Sequence, residues 1–114
     1  MISREQFVQE YTDIVNKYHP AAGHLLHYCL LKVISYRNRK LNTNTYYLGI
    51  YYPNELGDRL LTHQDIFKDI AENMGLVEVA FFNATHIVKD PLSPLKEQDV
   101  RFWLELNWIA SHVD

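Results

Sequence analysis

Tyr46-Tyr47-Leu48-Gly49-Ile50-Tyr51-Tyr52, closed by Pro53-Asn54, is the clearest strand in the chain. Its aromatic and aliphatic residues suit a pleated surface, and the proline-asparagine pair stops it. Alternation puts Tyr46, Leu48, Ile50 and Tyr52 on one face, read as the core side. Tyr47 and Tyr51 then flank Gly49 on the other, where their rings can cover its bare backbone. Just upstream, Leu41-Asn42-Thr43-Asn44 is a loop by composition. A lone strand is not stable in water, so the fold turns on what surrounds this one.

Toward the N-terminus, Ser3 and Gln6 have capping-box spacing, and Phe7, Val8, Tyr11, Ile14, Val15 and Tyr18 recur at helical spacing. This predicts a helix over 4–18, ended by His19-Pro20, with Pro20 opening a second helix. From there to residue 39 two readings compete. The preferred one continues the helix, with Ala22, Leu25, Leu26, Cys29, Val33 and Tyr36 on one face. The other starts a strand near Tyr28, because Leu31, Val33 and Ile34 suit a sheet and Gly23 is a poor residue for a helix interior.

Toward the C-terminus, Thr62 is expected to cap a third helix in which Ile66, Phe67, Ile70, Ala71 and Met74 oppose Asp65, Asp69, Glu72 and Asn73, with Gly75 as its stop. Leu76 to Phe82 reads as a strand with Val77, Val79 and Phe81 on one side, returning through Asn83-Ala84 as His86-Ile87-Val88 in antiparallel pairing. Ser93-Pro94 opens a helical turn, after which every even position from Val100 to Ala110 is apolar, and the preferred reading is a strand. A helix facing inward through Phe102, Leu106 and Ile109 is the competing reading, and it leaves Val100, Leu104 and Trp108 outside. The sum is one domain, 1–114, of the α+β class: N-terminal helices and a third helix packed on a mainly antiparallel sheet of three or four strands.

The 114 residues, 47% hydrophobic and 22% charged with four glycines and four prolines, exclude collagen-like, low-complexity and disordered classes. The longest apolar run, Leu25 to Ile34, is broken by His27 and Lys32 and falls short of the roughly 18 to 20 residues a membrane span needs. With a polar start and no signal-like apolar core, the expectation is a soluble, cytoplasmic protein. The single cysteine, Cys29, cannot close a bridge within the chain and reads as a small buried apolar residue. Charge is unevenly spread. Five basic and two acidic residues give 20–60 a charge of +3, whereas four basic and nine acidic residues give 61–114 a charge of −5.

Motifs that carry chemistry are sparse. His24 and His27, three apart, would share one side of a helix, but a zinc site needs further ligands and the His-Glu-x-x-His pattern is absent. There is no nucleophile elbow, phosphate loop or dinucleotide fingerprint, and no cofactor is implied. Were the chain an enzyme, His63, His86 and Glu78, near element ends, would be its acid–base candidates. Arg37, Arg39 and Lys40 beside the tyrosines have the ingredients of a nucleic-acid surface, opposed by the acidic C-terminal half. Asn83-Ala84-Thr85 matches a glycosylation acceptor pattern that a cytoplasmic chain would not use.

Fifteen aromatics exceed what one small core readily encloses, and Tyr and Trp are favoured interface anchors. The preferred reading is therefore a small non-enzymatic protein-binding or regulatory module of the inhibitor, immunity or adaptor kind. It would act through an aromatic and acidic surface of Tyr47, Tyr51, Asp65, Asp69, Glu72 and Trp103, on a protein partner or on itself as a homodimer. The alternative is a small enzyme or ligand binder with a histidine-lined pocket.

Overall fold

The quoted strand forms the centre of a three-stranded sheet in the computed structural model, which describes residues 3–76 and 78–111. It is β2, Thr43–Tyr52, and its antiparallel neighbour is β1, Leu30–Asn38, in a ladder running from Leu30 opposite Tyr51 to Asn38 opposite Thr43. Asn42, with φ 51°, makes the turn between them in the left-handed conformation that asparagine tolerates. The other neighbour, β3, Glu78–Asn83, runs parallel to β2 from Tyr47 opposite Glu78 to Tyr52 opposite Asn83. Parallel pairing demands a long crossover. Here it contains a single 3₁₀ turn, Asn54–Leu56, and the helices α3, Gly57–Thr62, and α4, Gln64–Asn73.

Both faces of the sheet are covered. Val33, Leu48, Ile50 and Val79 share one face, packed beneath Tyr11 and Val15 of α1 (Arg4–Tyr18), Leu25 and Leu26 of α2 (Pro20–Leu26), Leu60 of α3 and Phe67 of α4. The second face carries Leu30, Ile34, Tyr51 and Phe82 under α5 (Ala84–Lys89), α6 (Leu95–Gln98) and α7 (Val100–Ser111). The result is a helix–sheet–helix sandwich of the α+β class. Tyr11 ties two elements of the first layer, its hydroxyl donating to the Phe67 carbonyl at 2.9 Å inside the core. Burial, by disfavouring the phenolate, pushes the Tyr11 pKa well above the ordinary tyrosine value.

The N-terminal helix has its predicted bounds and its capping box, and Pro20 does open α2. The preferred continuous helix over 20–39 is overturned after Leu26. Ala22, Leu25 and Leu26 bury as helical positions, but Val33 and Tyr36 belong to β1, where a nine-pair ladder outweighs the weak helical pattern. Thr62 does not cap the next helix: it ends α3, and its hydroxyl donates to the Asp58 carbonyl at 2.9 Å. His86-Ile87-Val88 is not a returning strand. The Asn83 side chain accepts from the His86 N–H at 3.0 Å and donates to Asn54 Oδ1 at 2.9 Å, which starts helix α5 in its place. The Asn83 side chain of the glycosylation-like triplet is thus spent inside the fold. Val77, assigned to one side of the third strand, lies outside the described residues.

The largest correction concerns Val100–Ala110, which is helical. Asp99 initiates α7, its carboxylate accepting from the Phe102 N–H at 3.1 Å, and Arg101 pairs with Glu105 one turn on at 3.4 Å. Phe102 and Leu106 are buried and Ile109 half-buried, the inward face that the competing reading proposed. No helix among the described residues is long and apolar enough to cross a membrane.

Candidate functional site

The outward side of α7 is an exposed apolar surface. Val100, Leu104 and Trp108 recur every fourth residue and are 54%, 56% and 60% exposed, forming a stripe along the helix. Leu30 at the start of β1 and Ile109 extend the stripe into a shallow apolar depression, with Arg101 and Glu105 on its margin. A second depression, of about 500 Å³, adjoins it along the outer edge of β1. It runs between the N-terminal ends of α1 (Arg4, Glu5, Val8) and of α7 (Asp99, Arg101, Phe102, Glu105), over Leu30 to Val33. Its charged lining is balanced: Arg4, Lys32 and Arg101 against Glu5, Asp99 and Glu105.

Each part of this surface has a local cause. β1 is an edge strand because only β2 pairs with it, so main-chain groups of alternate residues face outward. Lys32 guards that edge. Its ammonium lies 4.1 Å from the centre of the Phe102 ring, and Phe102 in turn meets the Tyr51 ring edge-on at 5.0 Å. The inward face of α7 is thus fixed through Phe102 and Leu106, while Val100, Leu104 and Trp108 on its outward side stay more than half exposed.

The residues predicted to form one surface lie in four places. Tyr51, 7% exposed, is corrected from a surface to a core residue. Its ring stacks on Phe82 at 4.9 Å and, with Ile34 and Phe82, stands where a side chain on Gly49 would go, so it does cover that glycine. Burial, helped by the nearby Tyr47, pushes the Tyr51 pKa up to about 12. Tyr47 is half-buried on the same sheet face nearer the turn, its ring 5.8 Å from that of Tyr36. Asp65, Asp69 and Glu72 are exposed on α4, in the layer across the sheet from α7. Trp103 is half-buried, with the Lys96 ammonium 5.4 Å from its ring centre. An acidic face and an aromatic face therefore exist, but the sheet separates them.

The remaining candidates stay scattered as well. His24 and His27 are exposed with ring centres 6.1 Å apart, and among the described residues no group of three or more His, Cys, Asp or Glu side chains could hold a metal. Neither depression is lined by a histidine. Burial pushes the Cys29 thiol up to about 12, and its sulfur donates to the Leu25 carbonyl at 3.5 Å, which is the behaviour of a packing residue. Around the hairpin turn, Tyr36 and Tyr46 are exposed, Arg4 lies over the Tyr46 ring, and Arg37 is tied to Asn42. Tyr46, expected on the core side, does occupy that face, but close to the turn, where Arg4 at the start of α1 covers it only in part. No protein-family model, curated protein or solved structure matches the chain, so its function rests on the geometry of these surfaces.

Proposed function

We propose that this chain is a small non-enzymatic protein-binding module whose contact surface is the outward stripe of α7 and the depression beside it. The observation that carries this reading is the line of Val100, Leu104 and Trp108, all more than half exposed. Contiguous exposed apolar side chains rimmed by charge are the usual mark of a protein contact site, and tryptophan is a favoured anchor in such sites. The contact is led by the helix and not by strand addition, because Lys32 puts a charge on the open edge strand, its ammonium folded over Phe102, and charge on an edge strand discourages edge-to-edge pairing. Two features weigh against a small-ligand or catalytic reading: the depressions are open at the surface, and their charged lining selects neither an anion nor a cation.

The acidic stripe of α4 is a separate, weaker candidate, since a run of exposed carboxylates is also what an ordinary solvated helix face carries. A photo-reactive residue placed at Leu104, and in a second protein at Asp69, distinguishes the two in the cells that make the chain. A discrete protein adduct from Leu104 and none from Asp69 is the expected outcome. An adduct from Asp69 alone, or from neither, refutes the assignment.

A further inference from the structure

We infer that the distal half of the β1–β2 hairpin binds single-stranded nucleic acid, with a base stacked on Tyr46 and the flanking phosphates held by Arg4 and Arg37. β3 joins β2 only from Tyr47 onward, so Ser35 to Asn38 and Thr43 to Tyr46 form a two-stranded ribbon that runs on past the third strand. Neither core includes a described residue between Ile34 and Leu48, and most side chains of the ribbon are exposed. Its composition is one-sided. Residues 35–47 hold three cations, three tyrosines and no carboxylate, and the stretch without a carboxylate extends from residue 14 to residue 54. Exposed rings set among charges of one sign suit a polyanion that also offers flat rings.

One face of the ribbon carries the site. Alternation puts Tyr46 with Ser35, its partner in the ladder, and with Arg37, a diagonal neighbour within reach of a long side chain. Arg4 comes to the same place from α1, its guanidinium 5.9 Å from the Tyr46 ring centre and donating to Ser35 Oγ at 3.1 Å. Tyr46 stays 42% exposed with these two arginines as neighbours on its face. Among the described residues Arg4 commits a hydrogen bond to Ser35 and Arg37 one to Asn42, which leaves most donors of each guanidinium fork for phosphate oxygens. Arg39 continues the charge into the turn. The acidic C-terminal half meets this ladder at Glu78, which is opposite Tyr47 and so falls on the other face, with Tyr36; from the N-terminal half, Glu5 adjoins Arg4 and lines the depression beside β1. An acidic peptide would pair with the arginines but has no use for the ring, whereas an unpaired nucleotide supplies both a phosphate and a base. The site is separate from the α7 surface, which covers the opposite face of the sheet.

The test is fluorescence anisotropy of labelled DNA and RNA single strands of mixed sequence, about 12 nucleotides long, titrated with the full chain. Binding of either strand supports the site, and the tighter of the two identifies the sugar it takes. With three or four phosphate contacts, affinity is expected to fall roughly 20- to 50-fold between about 50 and 200 mM salt, from a log–log slope of about −0.7 per contact. Arg39→Gln, at an exposed turn position, should make that slope shallower by about 0.7. Tyr46→Ala should weaken binding about fivefold or more, the loss of roughly one stacked base, and leave the slope unchanged. Tyr46→Phe keeps the ring and should bind as the wild type does, which separates loss of stacking from loss of fold, and Tyr36→Ala, on the other face, should change nothing. No binding at about 100 μM protein in about 50 mM salt overturns the proposal, as does full affinity in Tyr46→Ala. Poly-glutamate that competes as well as the single strand, charge for charge, overturns it in favour of an acidic protein, and a duplex bound as tightly as the single strand overturns the stacked base.

Discussion

Replacing Gly23 by alanine sets two effects of known sign against each other. Alanine is favoured over glycine inside a helix by about 0.8 to 1.0 kcal/mol, so on propensity alone Gly23→Ala should stabilise α2. Gly23 is buried where α2 crosses α1, however, and a Cβ there would lie 2.0 Å from Asn16 Oδ1 and 2.8 Å from the Asn16 Cα. The amide can rotate away; the Cα cannot. Since carbon atoms settle at about 3.5 Å or more, α2 must retreat by about 0.7 Å, lifting Ala22, Leu25 and Leu26 from the core they fill. Overpacking of this kind costs about 1 to 3 kcal/mol, so after the propensity gain a net loss of up to about 2 kcal/mol is expected. Urea unfolding followed by circular dichroism reads this directly, as a midpoint lowered by up to roughly 1 M for a slope of about 2 kcal/mol/M. Asn16→Ala in the same background removes the oxygen and not the Cα, and should recover only part of the loss. A Gly23→Ala midpoint at or above wild type, or complete recovery in the double variant, would refute the backbone-contact explanation.

Tyr11→Phe deletes the buried hydrogen bond that joins α1 to α4, and the same titration should show a loss of about 1 to 2 kcal/mol; an unshifted midpoint would mean the bond contributes nothing net. Alkaline pH should unfold the protein in a defined window. Burial raises Cys29 from 9.0, and Tyr51 from 10.0, to about 12 in each case, so the folded state holds these protons more tightly than the unfolded chain. Stability is then complete below pH 9 and falls as pH rises toward 12, each group removing about 1.4 kcal/mol per pH unit between its two values. Cys29→Ala should move the onset of that fall from near pH 9 to near pH 10; equal stability of the wild type at pH 8 and pH 11 would contradict the burial of these groups.

The parts of the fold legible in the sequence are those where local signals agree. Ser3, Gln6 and Pro20 mark helix ends by short-range hydrogen bonding and ring geometry, and both hold. β2 was legible because aromatic content, alternation and Pro53 point the same way. The failures fall where two periods fit the same residues. In Val100–Ala110 apolar residues at every even position include both an inward helical set, Phe102 and Leu106, and an outward one, Val100, Leu104 and Trp108, so alternation imitates a strand. Asp99 as a cap and the Arg101–Glu105 spacing were the available helix signals, and both lie outside the apolar pattern. Residues 27–38 erred the other way, because the ladder to β2 is a tertiary effect that no window on β1 contains. The contact surface was half legible: the outward stripe was present as the residue set a helical reading leaves over, while the separation of Tyr51 from Asp65, Asp69 and Glu72 depends on which layer each helix joins.

The order of the layers along the chain also sets a timetable for synthesis. Every helix that covers the first sheet face lies before β3, so that layer is encoded by residue 73, whereas the cover of the second face is encoded by residues 84–111. On a ribosome adding about 5 to 20 residues per second, the roughly 60 residues between the end of β2 and the end of α7 take about 3 to 12 seconds, against microseconds for a hairpin to form. For that interval Leu30, Ile34 and Tyr51 have no lid, and the nascent hairpin presents to the cell an apolar side that the finished protein conceals.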